Sequence, residues 1–366
     1  MSVPYHRLFR VHSRWRWWRP LVALAVFLGF YLVSQVLIAI GFFVPILARS
    51  GVSGLQRFAH EIQHDALSST DPLVLGLTLA SLVLLLPAIM AAVRIAGLGP
   101  WGQLSSVRFR VRWGWMARCL LPLLVLAVLT VGIQGWSMFH TPGAGFLTFG
   151  TRQLGHQTVS STTLIVTVVM VVVLVPFQAA AEEYIFRGFL MQTIGSWVRN
   201  PIPAVLVSTI CFALLHLPNG YDVWGIVDVG SFGAIAAILA WRTGGLESGI
   251  LAHALNNVVI FLLQAPGWSR LDTASSDGSA GGAIVTIVTM GIYALLVELL
   301  ARRSRLDRRR PGAEGPRFRG RTPIWSSTVE PGWEAVPTTA DVLPTSDASV
   351  IAHTGTDRED RVGGRP

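Results

Sequence analysis

STTLIVTVVMVVVLVPFQAAAEEYIFRGFLMQTIG, residues 161–195, decides how the chain is read. Its first half is an unbroken Val/Leu-rich run, and about 20 such residues cross a bilayer as a helix. Its second half stays apolar but carries Glu182, Glu183 and Arg187. A charge inside a bilayer costs at least a few kcal/mol, so these side chains are functional candidates by default. Between residues 72 and 221 they include the only carboxylates. Arg187 follows Glu183 by one helical turn, the favourable order for a Glu–Arg pair. That pair neutralises itself and leaves Glu182 as the reactive carboxylate. The plainer alternative is a helix end at the membrane surface with solvated charges.

Outward from this segment, apolar runs recur at roughly 20–48, 72–96, 114–139, 202–217, 223–241, 246–264 and 281–301. The expected fold class is therefore all-α: a polytopic helical membrane bundle of about eight transmembrane helices. Of the 366 residues, 52% are hydrophobic and 13% charged, about half the charged share of a soluble domain. Mean hydropathy is +0.54. These values exclude an ordinary soluble enzyme and a disordered regulator. Cys119 and Cys211, in apolar runs, read as small buried hydrophobes and not as a disulfide framework. The first run lacks a small-residue cleavage site, so no removable signal peptide is expected.

The net charge of +9 is carried by Arg, with no Lys. Arg clusters in the arm before the first run, in the second loop (Arg94, Arg108, Arg110, Arg112, Arg118) and after the eighth run (Arg302 to Arg310). The first, third and seventh loops are poor in Arg (Arg57, Arg152, Arg270). This reads as a topology signal and not as a nucleic-acid surface. It predicts a multi-pass plasma-membrane protein with both termini cytoplasmic and an even number of crossings. Trp15, Trp17 and Trp18 suit an interfacial belt. The expected divisions are a basic cytoplasmic arm (1–19), three N-terminal spans (20–160), a core (161–265), a last span (266–301) and a disordered cytoplasmic tail (302–366), rich in Pro, Gly, Ser, Thr and Arg.

Two further polar pairs lie in apolar runs: Phe212 with His216, and His253 with Asn257. Four-residue spacing puts each pair on one helix face. At about 1.5 Å per residue, Glu182 and His216 both lie on the order of 20–30 Å from the Asn200-Pro201 turn, so antiparallel neighbours bring them to similar depth. A carboxylate and an imidazole facing one volume can hold and deprotonate water. A second imidazole and a carboxamide can donate to an oxyanion. The set suits amide hydrolysis by direct water attack. The same residues, Glu182, His216 and His253, would alternatively hold a divalent metal such as zinc. Spacing does not separate the two.

The three motifs in order, Glu182-Glu183-Tyr184-Ile185-Phe186-Arg187, Phe212 to His216 and His253 to Asn257, resemble the CPBP family. That family comprises the CAAX prenyl endopeptidases and the bacteriocin-processing or immunity (ABI) proteins. The resemblance covers about residues 161–265. It implies an intramembrane endopeptidase whose substrate is a peptide or membrane-protein segment. Carried over, Glu182 with His216 activates water, His253 and Asn257 stabilise the oxyanion, and Glu183, Arg187 and Phe212 support the site. The family is commonly labelled a metalloprotease family, and a metal-free glutamate mechanism is also argued for it. A metal-free site is slightly preferred here. The non-enzymatic alternative is an immunity factor, scaffold or transporter that keeps the cluster for packing.

A competing motif, His60-Glu61-Ile62-Gln63-His64, matches the zinc-protease signature H-E-x-x-H. Leu55, Phe58, Ala59, Ile62 and Ala66 form an apolar stripe suited to the membrane surface, which turns both His residues towards water. A short loop offers neither a third ligand nor a dry cavity. Asp222 and Asp228 read as interfacial, Glu247 as a helix cap and Glu298–Arg302 as a helix-end pair.

Overall fold

A computed structural model of the chain describes residues 2–64, 72–140, 159–265 and 280–312. Among these residues the backbone is almost entirely helical: α1 (Arg19–His64), α2 (Pro72–Val83), α3 (Leu85–Ile95), α4 (Trp113–His140), α5 (Ser161–Glu183), a π-helical stretch (Tyr184–Leu190), α6 (Met191–Trp197), α7 (Pro201–Leu214), α8 (Val223–Thr243), α9 (Glu247–Gln264) and α10 (Ala280–Arg303). Each apolar run of the sequence returns as helix. Six helical stretches are long and apolar enough to cross a membrane, whereas Pro201–Leu214 and Glu247–Leu262 are shorter. The protein is a helical, multi-pass membrane protein.

The helices follow local signals. Ser160 caps α5 by accepting from the Thr163 amide, and Asn200 caps α7 by accepting from Ile202, with Pro201 at the first helical position. Asp222 caps α8 through the Gly225 amide. Gly244 ends α8 with φ of 74°, a left-handed conformation that glycine adopts without steric cost. α1 is broken at Gly51, where φ is 62°. Beyond the break its backbone stays helical to His64; the side chains of His60, Glu61 and His64 lie outside the described residues.

Outward faces are apolar, as lipid requires. Leu32, Leu37 and Ile40 of α1 and Leu121 and Val128 of α4 are exposed. The core lies between α3, α5, α8, α9 and α10, with Phe186, Phe212, Phe232, Met290 and Tyr293 on one side of the π-helical stretch and Ile89, Leu98, Leu104 and Leu246 on the other. Cys119 is buried and Cys211 half-buried, both as free thiols.

At the chain ends the structure adds to one expectation and corrects another. The basic arm packs into the bundle: Tyr5, Leu8 and Phe9 are fully buried in the core. Arg7 donates to the Gly195 carbonyl (2.7 Å), and Tyr5 donates to the Leu104 carbonyl. The residues from 302 onward do not start as disordered chain. β2 (Arg309–Pro311) pairs antiparallel with β1 (Ser2–Pro4). Salt bridges from Arg302 and Arg308 to Glu298 fix the approach to it. The Arg residues at both ends were legible as charge, but their backbone and carboxylate partners lie far away in sequence. The remainder of the expected tail, 313–366, lies outside the described residues.

The β1–β2 pair places both ends of the described chain on one side of the bundle. The loop between α3 and α4 joins them there. Val107 donates its amide to Gly244, and Leu246 donates to Ser105 (2.8 and 2.9 Å). Arg112 clamps Glu247, the first residue of α9, through its backbone amide, Nε and Nη2 (2.9, 2.7 and 2.7 Å). Glu247 is therefore not the helix cap expected: Leu246 holds that position without a side-chain cap, and the Glu247 carboxylate is engaged in a buried ion pair with Arg112.

Candidate active site

The site forms where the end of α5, the π-helical stretch and α9 meet the C-terminal end of α7. Residues 161–197 make one continuous rod, α5–π–α6. The π-helical insertion carries Arg187 and directly follows the two carboxylates. Such i→i+5 stretches are rare and concentrate at functional sites. Ser208 of α7 donates to the Phe186 carbonyl (3.0 Å), which ties the insertion to its neighbour.

Glu183 and Arg187 form the expected pair. Arg187 Nη1 donates to Glu183 Oε1 at 2.8 Å, and both side chains are fully buried. The guanidinium lies 4.1 Å from the centre of the Phe212 ring, in cation–π contact. Phe212 meets Phe186 edge-on at 5.1 Å, and His216 and His253 at 4.7 and 5.9 Å between ring centres. One aromatic ring therefore supports the Arg and touches both imidazoles.

His253 joins the two carboxylates. Its Nδ1 lies 3.1 Å from Glu183 Oε1, and its Nε2 lies 3.5 Å from Glu182 Oε2. A carboxylate only accepts, so Nδ1 is the donor to Glu183. Glu182 Oε1 accepts from Gln178 Nε2, and Gln178 Oε1 accepts from Asn257 Nδ2 at 3.2 Å. Glu182 Oε2 is buried without a hydrogen-bond partner. His216 stands just past the end of α7. Its Nδ1 lies 2.8 Å from the Phe212 carbonyl, which fixes the proton on Nδ1 and leaves Nε2 a lone pair. Among the described residues no hydrogen bond or ion pair joins His216 to Glu182; the imidazole beside Glu182 is that of His253.

Spacing expected Glu182, Glu183, Arg187, Phe212, His216, His253 and Asn257 together, and the structure brings them into one cluster. Gln178 was missed. Its signal was position, one helical turn before Glu182 on an apolar helix. Tyr221 was missed as well; its ring lies 5.9 Å from that of His216. Asp222 is taken up as the α8 cap, and Asp228 faces Thr286 of α10.

α7 has 14 residues and rises about 21 Å, short of the ~30 Å hydrocarbon thickness. The polar turn after it, from His216 to Asp222, therefore sits within membrane depth. Irregular backbone is tolerated there only where protein buries it or water reaches it. His216 is half-buried, at the mouth of the cluster.

Among the described residues no three His, Cys, Asp or Glu side chains are grouped so as to hold a metal ion. Glu182, His216 and His253 as arranged do not make the ligand set that spacing left open.

Residues 162–259 match the family model described as type II CAAX prenyl endopeptidase Rce1-like. Over this segment the chain is similar to that family. The segment spans the rod, α7, α8 and α9 as far as Asn257, and so contains the whole cluster. The description of that family is of an endopeptidase, and the matched residues lie in the apolar helices of the bundle. The uncharacterized protein YyaK of Bacillus subtilis (strain 168) is 24% identical over 249 residues, 66% of this chain and 76% of that protein. No solved structure matches the chain significantly.

Proposed function

We propose that the Rce1-like segment is an intramembrane endopeptidase that hydrolyses a peptide bond by attack of a water held at Glu182. One observation carries this reading: Glu182 presents a buried carboxylate oxygen, without a hydrogen-bond partner, 3.5 Å from an imidazole nitrogen of His253. Such an oxygen is an acceptor for the water proton. Gln178 holds the other oxygen and so fixes the carboxylate plane. His216, with its lone pair on Nε2, assists in orienting the water. His253, whose Nδ1 donates to Glu183, directs Nε2 into the same space; as an imidazolium, with a proton on each ring nitrogen, it donates from Nε2 to the oxyanion together with the Asn257 amide. Glu183, Arg187 and Phe212 keep the two histidines in place. No nucleophilic Ser or Cys is required. The proton taken by Glu182 passes to the leaving amine, so the carboxylate is regenerated.

No step is routed through a metal. Activity is expected to persist after exhaustive treatment with a chelator; loss of activity that a divalent ion restores would replace this mechanism. We further propose that the protein lies in the plasma membrane with both termini cytoplasmic. The Arg-rich loops that face that compartment by the positive-inside rule are those gathered at the β1–β2 end.

The test is a comparison of membrane proteomes from cells carrying the wild-type protein or Glu182→Gln, followed by cleavage of the accumulated segment by purified protein. Glu182→Gln keeps the shape of the side chain and removes its basicity, so cleavage should fall about 10²- to 10⁴-fold. His216→Ala and His253→Ala should also fall by at least about tenfold. A correctly folded Glu182→Gln variant that cleaves as fast as the wild type overturns the proposal.

A further inference from the structure

At the β1–β2 end, lined by none of the residues of the cluster around Glu182, a crevice of about 770 Å³ opens between the α3–α4 loop and the chain leaving α10. A second crevice, of about 490 Å³, adjoins it and shares Arg108, Arg110 and Asp307 with it. Six arginines line the two: Arg108, Arg110, Arg112, Arg305, Arg309 and Arg310. Asp307 neutralises Arg108, and Glu247 neutralises Arg112. Among the described residues the other four have no carboxylate partner. Arg309 and Arg310 donate to the carbonyls of Ser2 and Val107, which aims their guanidinium groups without cancelling their charge.

Two other features mark this crevice as built. Phe109 and Arg305 are the non-glycine residues with positive φ among the described residues (59° and 48°), and both line it. Left-handed backbone at such residues costs free energy and clusters at ligand clamps. At Phe109 it sets the ring 3.7 Å beneath the Arg310 guanidinium. The crevice also lies at membrane-surface level, because Trp113 opens α4 and Leu306 follows α10 directly. Trp101 and Trp113, 50% and 72% exposed, flank it as interfacial aromatics do.

We propose that this double crevice binds the phosphate headgroup of an anionic phospholipid. Guanidinium groups pair with phosphate oxygens in bidentate fashion. The two tryptophans lie where the glycerol and upper acyl chains would run. Free phosphate shares the headgroup chemistry but gains nothing from Trp101 and Trp113. The site stands independently of the chemistry proposed for Glu182.

The experiment uses full-length protein in detergent and native mass spectrometry, with phosphatidylglycerol and phosphatidylcholine of matched acyl chains as probes. Wild-type protein is expected to retain phosphatidylglycerol in preference to phosphatidylcholine. A surface Arg contributes roughly 1 kcal/mol to such binding, or about fivefold. Arg110→Gln and Arg305→Gln should each weaken phosphatidylglycerol retention about fivefold, and the double variant on the order of 25-fold, with phosphatidylcholine unaffected. Both side chains are exposed and outside every ion pair, so folding is preserved; the Lys variants at the same positions should keep most of the binding. Equal retention of the two lipids overturns the proposal. So does a double variant that binds like the wild type, or displacement of the lipid by an equal concentration of inorganic phosphate.

Discussion

Arg187 is fully buried, and its Nε and Nη2 atoms have no hydrogen-bond partner. It is held by one carboxylate oxygen and by the face of Phe212. Removing it strands Glu183 as a buried charge, so Arg187→Ala should lower stability by about 3–5 kcal/mol, seen as a fall in Tm of the detergent-solubilised protein. Arg187→Lys keeps the charge but loses the flat group that stacks on Phe212, and should recover only part of the loss. Gly233 of α8 faces the same guanidinium: a Cβ there would stand 2.9 Å from Arg187 Nη2 and 3.1 Å from Phe212 Cδ1. Gly233→Val should therefore cost about 1–3 kcal/mol, measurable in the same melting experiment. At this scale the sequence was informative wherever partners sit on one helix. The Glu183–Arg187 pairing followed from four-residue spacing. That His253, and not His216, adjoins Glu182 did not follow, because spacing along one helix says nothing about the rotation of its neighbour.

Elements show the same boundary between local and distant information. The ends of α5–α6, α8, α9 and α10 fall within about three residues of the apolar runs that announce them. Apolar length and caps are local properties, so they are legible. The π-helical insertion is not, since its backbone pattern leaves the apolar composition unchanged. The Arg112–Glu247 clamp is not either: the partners are 135 residues apart, and each had a sufficient local explanation as a topology signal or a cap. Yet this clamp sets where α9 starts, and so the height of His253 six residues on. Arg112→Ala should destabilise the protein by about 3–5 kcal/mol, because Glu247 is left buried without its cation. Arg112→Ala combined with Glu247→Ala should cost clearly less than the sum of the single changes in a double-mutant cycle of thermal unfolding.

For the whole molecule, composition settled the class, a multi-pass helical membrane protein, and Arg alternation called for an even number of crossings. The β1–β2 pairing puts both described ends on one side, in keeping with that count. Cysteines introduced singly at Ser2 and Gly312, in a background lacking Cys119 and Cys211, should react with an impermeant maleimide from the same face of sealed vesicles. Reaction from opposite faces would require an odd number. The integration of residues 2–11 went unread because their Arg residues dominated the reading. The apolar spacing of Tyr5, Leu8 and Phe9, one face of a helical turn, was the available signal. Deleting residues 2–11 removes three fully buried apolar side chains, each contributing about 1.5–3 kcal/mol, and should lower Tm substantially.

The strand at Ser2–Pro4 finds its partner only at Arg309–Pro311. During synthesis Ser2–Pro4 must therefore wait, unpaired, until α10 has been threaded through the lipid. Closure of so long a loop adds little thermodynamic cost beyond that of a shorter one, but it imposes an order of events. The β1–β2 seam forms only after every helix between its two strands has been made, and a bulky fusion ahead of Ser2 would weigh on that step while leaving those helices untouched.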